Sequence, residues 1–261
     1  MSIEVIRSAN NAKLRSWRKL ATSKERRKQQ KYLVEGTHLV EEALKHQVVI
    51  DCLIMTESYY AEQWDHLQAH DQCFTPVLIA DSLASQLAQT PSPQGIFAVI
   101  EVANDQNLPL NDGNKYLLVD RIQDPGNLGT MIRTADAAGI DAIILGEGCV
   151  DLYNDKVIRS TQGSLWHLPI VTLSLEEAIP LLQQHDIQVY GTGLDSSAVP
   201  YYELDTQNSC AWLMGNEGQG VDPKLLGMCD QVTYIPMQGQ AESLNVAIAT
   251  AILLFQANCP K

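Results

Sequence analysis

An α/β fold in two parts, the second built around a mostly parallel sheet with helices on both faces, is what this chain of 261 residues predicts. Three observations lead there. Short apolar segments of strand character alternate with segments of helical spacing along most of the length. In the C-terminal part the strand segments are continuous apolar runs, as expected of strands buried on both faces. A polar, turn-rich stretch, "ANDQNLPLNDGN" from Ala103 to Asn114, separates the two parts.

Taken in order, Asn10 to Gln30 has helical spacing, with Leu14, Trp17 and Leu20 on one side and bases around the rest. "KYLVEG" at 31–36, "VVIDCLIM" at 48–55, "TPVLIA" at 75–80 and "GIFAVIEV" at 95–102 are rich in β-branched residues, are bounded by turns, and read as strands. Helical spacing fills 37–46, 58–70 and 82–89, the last with Asp81 or Ser82 placed to cap it. Beyond the divide, "KYLLVD", "DAIILG", "QVYGTG", "CAWLMG" and "QVTYIP" are the strands. They alternate with helices at 127–139, around 155–162, at 175–185 and at 243–258. The expected division is therefore residues 1–103, a linker over 104–114 that gives nothing to a core, and residues 115–261.

Hydrophobic residues make up 45% and charged residues 19%, the balance of a well-packed globular chain. No apolar run approaches the roughly 20 residues that cross a bilayer, and the N-terminus lacks the apolar core of a signal peptide. Cys52, Cys73, Cys149, Cys210, Cys229 and Cys259 are scattered without CxxC spacing. They are expected to be reduced and structural with no metal site, and the location cytoplasmic. The formal charge of −13 argues against a nucleic-acid partner until its distribution is read. Residues 1–31 hold ten Lys or Arg against Glu4 and Glu25, a local +8, and the remainder carries −21. Phosphate recognition follows local potential, so a basic arm on an acidic body can bind RNA.

Three loops carry candidate chemistry, and all follow strands, where ligands bind in parallel sheets. In "DRIQDPGNLGTMIRTADAAG", Asp120 to Gly139, Pro125 and Gly126 make a turn and Asn127 suits the N-cap of the next helix. Arg133 falls six residues later, where it and Asn127 could share a cleft. "GNEGQG", Gly215 to Gly220, follows an apolar strand but has neither the Lys-Ser/Thr ending of a Walker loop nor the GxGxxG spacing. Its Glu217 suits an arginine, or the hydroxyl and amine groups of a ligand. In "IPMQGQAESLNVAIATAILLF", Ile235 to Phe255, Ser243 is expected to open a buried helix bearing Leu244, Ile248, Ile252 and Phe255. Asn245 lies in its first turn, an amide that burial would oblige to find a partner. Arg159 can touch a phosphate or sit on the surface; His167 reads as a partnered histidine, and Ser160 has no triad beside it in sequence.

Together these loops resemble the SpoU/TrmH family of RNA 2'-O-ribose methyltransferases, a branch of the knotted SPOUT class. Asp124-Pro125-Gly126-Asn127-Leu128-Gly129-Thr130 through Arg133-Thr134-Ala135 looks like the family's first motif. Gly215-Asn216-Glu217-Gly218 looks like its second, and Ile235-Pro236-Met237 with Glu242-Ser243-Leu244-Asn245-Val246 its third. The N-terminal part, on "SANNAKLRSWRKL" and "YLVEGTHLVEEAL", resembles the L30e-like substrate-binding domain of rRNA-directed members. Asp155 stands where relatives often have proline.

The resemblance implies a deep trefoil knot in the C-terminal SPOUT domain, S-adenosylmethionine as cofactor, and a homodimer formed through that domain whose active sites draw on both subunits. Asn127, Arg133, Glu217, Ser243 and Asn245 become the active-site group, and Leu213, Gly215, Ile235, Met237 and Leu244 the cofactor pocket. Arg133 would serve either as proton acceptor or as electrostatic partner of the developing oxyanion, with Asn127 and Glu217 orienting it or the ribose. Lys13, Arg15, Arg18, Arg26, Arg27 and Arg159 are the candidate RNA contacts. The expected reaction is methylation of a ribose 2'-hydroxyl in 23S rRNA. A tRNA-directed enzyme and a catalytically inactive RNA-binding or ribosome-assembly factor are the alternatives, and a domain of about 100 residues ahead of the catalytic part favours rRNA.

Overall fold

The computed structural model describes residues 3–46, 48–67, 75–103, 108–111 and 113–257. The chain divides into two compact units, Met1–Asn104 with Tyr153–Trp166, and Asp105–Leu152 with His167–Lys261.

The first unit runs β1 (Val5–Ile6), α1 (Ala12–Lys19), α2 (Ser23–Gln29), β2 (Lys31–Glu35), α3 (Thr37–Lys45), β3 (Ile50–Thr56), α4 (Glu57–Leu67), β4 (Val77–Ile79), α5 (Ala84–Leu87) and β5 (Ile96–Glu101). Its sheet has the order β1-β4-β3-β5-β2, with β5 antiparallel to both neighbours and the other pairs parallel. The single helical stretch expected over Asn10–Gln30 is two helices. Asn11 caps the first through Lys13 N at 2.8 Å, and Thr22 opens the second by accepting from Glu25 N. Leu14, Trp17 and Leu20 are buried as their spacing requires, against Ile54, Val77, Ile79 and Phe97. Asp81, expected to cap the helix after β4, instead accepts from Ser58 Oγ. Residues 68–70 of the helix expected over 58–70 lie outside the described residues.

The second unit opens with β6 (Lys115–Val119), α6 (Pro125–Ala137) and β7 (Ala142–Leu145). The chain then enters α7 (Asp155–Thr161), which groups with the first unit: Tyr153 stacks on Tyr32 with centroids 4.4 Å apart, and Trp166 Nε1 donates to the Tyr32 hydroxyl at 3.0 Å. It returns through β8 (Ile170–Thr172), α8 (Leu175–Gln183), β9 (Gln188–Thr192), β10 (Val199–Pro200), β11 (Cys210–Met214), α9 (Pro223–Leu226), β12 (Gln231–Tyr234) and α10 (Val246–Ala257). The seven strands lie in the order β10-β12-β9-β11-β6-β7-β8, and each pair is parallel. One face packs Tyr116, Leu118, Ala211 and Leu213 against Leu175, Ile179 and Leu182 of α8 and Leu225 of α9. Alternation sends Leu117 and Trp212, both fully buried, to the other face, where α10 packs on β11 and α6.

Of the stretch expected as linker, residues 104–107 and 112 lie outside the described residues. Leu108 and Leu110 correct the expectation that it gives nothing to a core: both are partly buried against the second unit's core. Flanking polar residues mask two leucines spaced to reach one apolar surface. Among the described residues no helix is long and apolar enough to cross a membrane.

This topology selects one crevice. After β6 the chain moves through α6 to β7, whereas β11, the other neighbour of β6, arrives from the opposite side of the sheet. The loops leaving β6 and β11 thus diverge from adjacent strand ends, the switch point at which open α/β sheets bind ligands.

Candidate active site

Leaving β11, Gly215 is buried where the two ends of its loop touch. A Cβ there would lie 2.0 Å from the amide nitrogen of Val221, so no other residue fits. Asn216 and Gly220 exchange backbone hydrogen bonds of 3.0 and 2.9 Å. The Asn216 Oδ1 accepts from the amides of Gly218 (2.9 Å) and Gln219 (3.0 Å), and its Nδ2 donates to the Arg121 carbonyl at 2.8 Å. The loop is a closed turn tied to the end of β6, with Glu217 at its tip.

Asp124, and not Asn127 as the sequence suggested, caps α6: its Oδ1 accepts from Asn127 N at 2.9 Å, and Pro125 takes the first helical position. Proline suits that position because its missing N–H would have no helical partner. The shift of three residues frees the Asn127 side chain. Glu217 Oε1 accepts from Asn127 Nδ2 (3.1 Å) and Asp124 N (3.0 Å), and Oε2 accepts from Gln123 N (3.2 Å). Asn127 Oδ1 in turn accepts from Asn245 Nδ2 at 2.9 Å. Asn245 Oδ1 accepts from Ala247 N at 2.9 Å, which makes Asn245 the cap of α10. One hydrogen-bonded chain therefore joins all three loops. Burial pushes the Glu217 carboxyl up, but the bonds from Asn127, Asp124, its own amide and Gln123 outweigh it and leave the group below the usual glutamate range. Glu217 is ionised at neutral pH and fixed in direction.

Four expectations are corrected here. Glu217 holds two backbone amides and the Asn127 amide, not an arginine. Arg133 is exposed on α6 with no side-chain partner among the described residues, because six residues along a helix turn its direction about 120° from Asn127. Ser243 is exposed and precedes the helix it was expected to open, since Asn245 supplies the cap. The buried face expected of that helix also shifts. Leu244, Ile248 and Phe255 are 37%, 53% and 51% exposed, while Val246, Ala247, Thr250, Leu253 and Leu254 are buried.

Around the crevice, Leu213 is fully buried with its carbonyl accepting from Thr192 Oγ1 at 2.9 Å. Ile235 is half-buried, and Met237 is exposed beyond β12. This set fits an adenosyl group: apolar Met237 and Leu244 stand open to cover a flat ring, and Arg121, the cation just beyond β6, is gripped at two points by Asp120 instead of standing open to a phosphate. Asn216, Asp120, Arg121 and Gln123 were missed. The signal for Asn216 was present, since asparagine in a glycine turn habitually bonds the amides two and three residues on.

Of the basic candidates, Arg15 and Arg27 are exposed with no side-chain partner among the described residues. Lys13 pairs with Glu4, and Arg18 donates to Gln86 Oε1 at 3.2 Å. Arg26 is a correction: it is 5% exposed and donates from Nη1 to the Leu20 carbonyl at 2.8 Å, tying the turn between α1 and α2. Arg159 is half-buried and paired with Asp155 at 2.5 Å, one helical turn away, which leaves its charge largely answered. His167 Nδ1 lies 2.7 Å from Asp136 Oδ2. Cys52, Cys149, Cys210 and Cys229 are free thiols, and burial pushes Cys52 and Cys210 up to about 11 and Cys229 to about 12. Cys73 and Cys259 lie outside the described residues.

Comparison with known proteins accords with this geometry. Residues 114–255 match the SpoU rRNA methylase family, and residues 11–98 match the MRM3-like substrate binding domain. The 23S rRNA (guanosine(2553)-2'-O)-methyltransferase RlmP of Bacillus subtilis strain 168 is 45% identical over 251 residues, which cover 96% of this chain and 97% of that protein. Among solved structures, the AdoMet-bound rRNA methyltransferase of Sinorhizobium meliloti superposes with a TM-score of 0.87 at 31% identity, covering 98% of this chain and 97% of the other. The SpoU methyltransferase AviRb of Streptomyces viridochromogenes, in complex with AdoMet, gives 0.85 at 27% identity, with 95% and 97% covered. The chain belongs to the SpoU rRNA methylase family.

Proposed function

We propose that this chain methylates a ribose 2'-hydroxyl of 23S rRNA with S-adenosylmethionine as methyl donor, acting in the cytoplasm as a homodimer knotted in its C-terminal domain. The hydrogen-bonded chain Glu217–Asn127–Asn245, assembled from three separate loops at the switch between β6 and β11, is the observation that carries this reading. Bound S-adenosylmethionine supplies an electrophilic methyl group. A 2'-hydroxyl keeps its proton well above neutral pH, so the chain's own task is to place that oxygen and help it lose the proton.

Leu213, Gly215, Ile235, Met237 and Leu244 would hold the donor against the crevice. Glu217 fixes the Asn127 amide, and Asn127 presents its remaining donor and acceptor capacity to the ribose. Ser243, exposed just ahead of α10, is free to hold substrate. Arg133 belongs to this chemistry through a second copy of the chain: it points away from Asn127 on its own helix, and it is exposed without a partner. A guanidinium stays charged in proteins, which suits it to stabilise oxygen as negative charge develops there better than to accept a proton. The exposed apolar row of Ile248 and Phe255 on α10, with Leu244 just ahead of its cap, supports a covering second copy, since a helix apolar on all sides is normally buried. Arg15 and Arg27, with their basic neighbours on α1 and α2, would meet rRNA phosphates.

The test is methyl transfer from labelled S-adenosylmethionine to 23S rRNA and to total tRNA, both from cells lacking this protein, beside calorimetric binding of the donor. Expected are donor binding and label in rRNA alone. Label in tRNA alone would replace the rRNA reading, and donor binding without transfer to either would favour an inactive RNA-binding factor.

A further inference from the structure

Arg121 has features that the Glu217–Asn127–Asn245 chain does not use. It sits at φ +52°, in the left-handed region that residues other than glycine enter at a cost. Gln30 and Gln162 adopt the same φ as helix caps, and Asp186 follows α8. Among the described non-glycine residues Arg121 alone does so directly beyond a strand of the sheet.

Its side chain folds back onto its neighbour. Nε and Nη2 donate to the two oxygens of Asp120 at 2.8 and 2.9 Å, and Asp120 is only 3% exposed. From this pair three bonds run to the loop that carries Glu217. The Arg121 carbonyl accepts from Asn216 Nδ2 at 2.8 Å, at the loop's entry. Arg121 Nη1 donates to Gln219 Oε1 at 3.2 Å, near its tip. Asp120 Oδ2 accepts from the Asp222 amide at 2.8 Å, past its exit. Gln123 Nε2 donates to the same Arg121 carbonyl at 3.1 Å, so the residue whose amide holds Glu217 is braced by the pair as well. A guanidinium can grip a carboxylate at two points and still offer a third N–H, which an ammonium cannot do in one plane.

We propose that Asp120 and Arg121 are positioning residues for methyl transfer: they hold the Gly215–Gly220 loop in register so that Glu217 meets Asn127, and Arg121 acts on the reaction through Glu217 without touching RNA or donor. This rests on the methyl-transfer reading above. The strained backbone at Arg121 is what aims its carbonyl at Asn216 while its side chain returns to Asp120.

The test compares single-turnover rate, KM for RNA and amide exchange of residues 217–222 in the full-length protein. Variants are Arg121→Gln, Arg121→Lys and Gln219→Ala, each also in a Glu217→Ala background. Arg121→Gln should lower the rate about tenfold to a hundredfold, as for a catalytic group displaced by about an ångström, with KM changed less than about twofold. Arg121→Lys should recover part of the loss. In the Glu217→Ala background the same change should cost less than about threefold, because residues acting as one unit are not additive. Loop amides should exchange faster in Arg121→Gln. An unchanged rate, a raised KM at constant rate (the mark of a direct phosphate contact), or equal losses in both backgrounds would overturn the proposal. Should Arg121→Gln fail to fold, Gln219→Ala removes an exposed bond alone: a rate loss that vanishes in the Glu217→Ala background supports the proposal, and an unchanged rate overturns it. If the native protein transfers no methyl group to RNA, the functional reading falls while exchange still decides positioning, since unchanged loop amides in Arg121→Gln would refute it.

Discussion

Glu217 is the residue on which the three loops converge, and its charge is held there by donors on two of them. Because the folded carboxyl lies below its ordinary value, its contribution to stability is complete above the usual glutamate range and is lost as pH falls through the folded value. Urea midpoints followed from about pH 7 to about pH 3 should therefore drop more steeply for the native protein than for Glu217→Gln, whose amide does not titrate. Parallel curves would show that the carboxylate contributes nothing there. Arg133 gives the complementary expectation. Exposed and unpartnered among the described residues, it can be replaced by alanine without loss of thermal stability or donor affinity, whereas single-turnover methylation should fall about a hundredfold or more. Calorimetry and quench-flow on one preparation check both halves. The motif residues were legible as a group through their likeness to the family's three motifs, but the direction of Arg133 was not, because a helix turns 100° per residue and the predicted cap was three residues late.

At the scale of elements, the sequence announced every strand long enough to carry a pattern. The exceptions, β1, β8 and β10, have two or three residues each, and no periodicity exists in so short a span. Asn10–Gln30 read as one helix because apolar spacing continues across Leu20 while Thr22, a good cap, interrupts it. The third-motif helix was found with its buried face misassigned. A helix apolar on all sides has no stripe to say which residues meet its own sheet, so Val246, Leu253 and Leu254 inside, and Ile248 and Phe255 outside, emerge only in the fold. That exposed row makes a prediction at this scale. Ile248→Glu should abolish self-association in sedimentation equilibrium while the melting temperature of the separated chain changes by no more than about 2 °C, as for a surface substitution. A native protein that sediments as a monomer would contradict the second copy on which the role given to Arg133 depends.

The whole molecule sets a basic arm against an acidic body, and the net charge of −13 conceals it. The structure refines which bases count: Arg26 is spent on the Leu20 carbonyl and Arg159 on Asp155, while Arg15 and Arg27 remain open. Replacing both Arg15 and Arg27 by alanine should weaken rRNA binding and reduce the slope of log affinity against log salt by about 1.5, near 0.7–0.9 per lost phosphate contact. Arg26→Ala should instead lower stability, since it strips a buried carbonyl of its donor, with a smaller change in slope. Fluorescence titrations at several salt concentrations separate the two.

One measurement bears most directly on the reaction itself. A ribose bearing a 2'-O-methyl group cannot assist cleavage of the adjoining phosphodiester, so 23S rRNA labelled by this protein and then hydrolysed in alkali should yield its label in a resistant dinucleotide. Label released as a mononucleotide would place the methyl group on a base and contradict a ribose-directed site built on Glu217, Asn127 and Asn245.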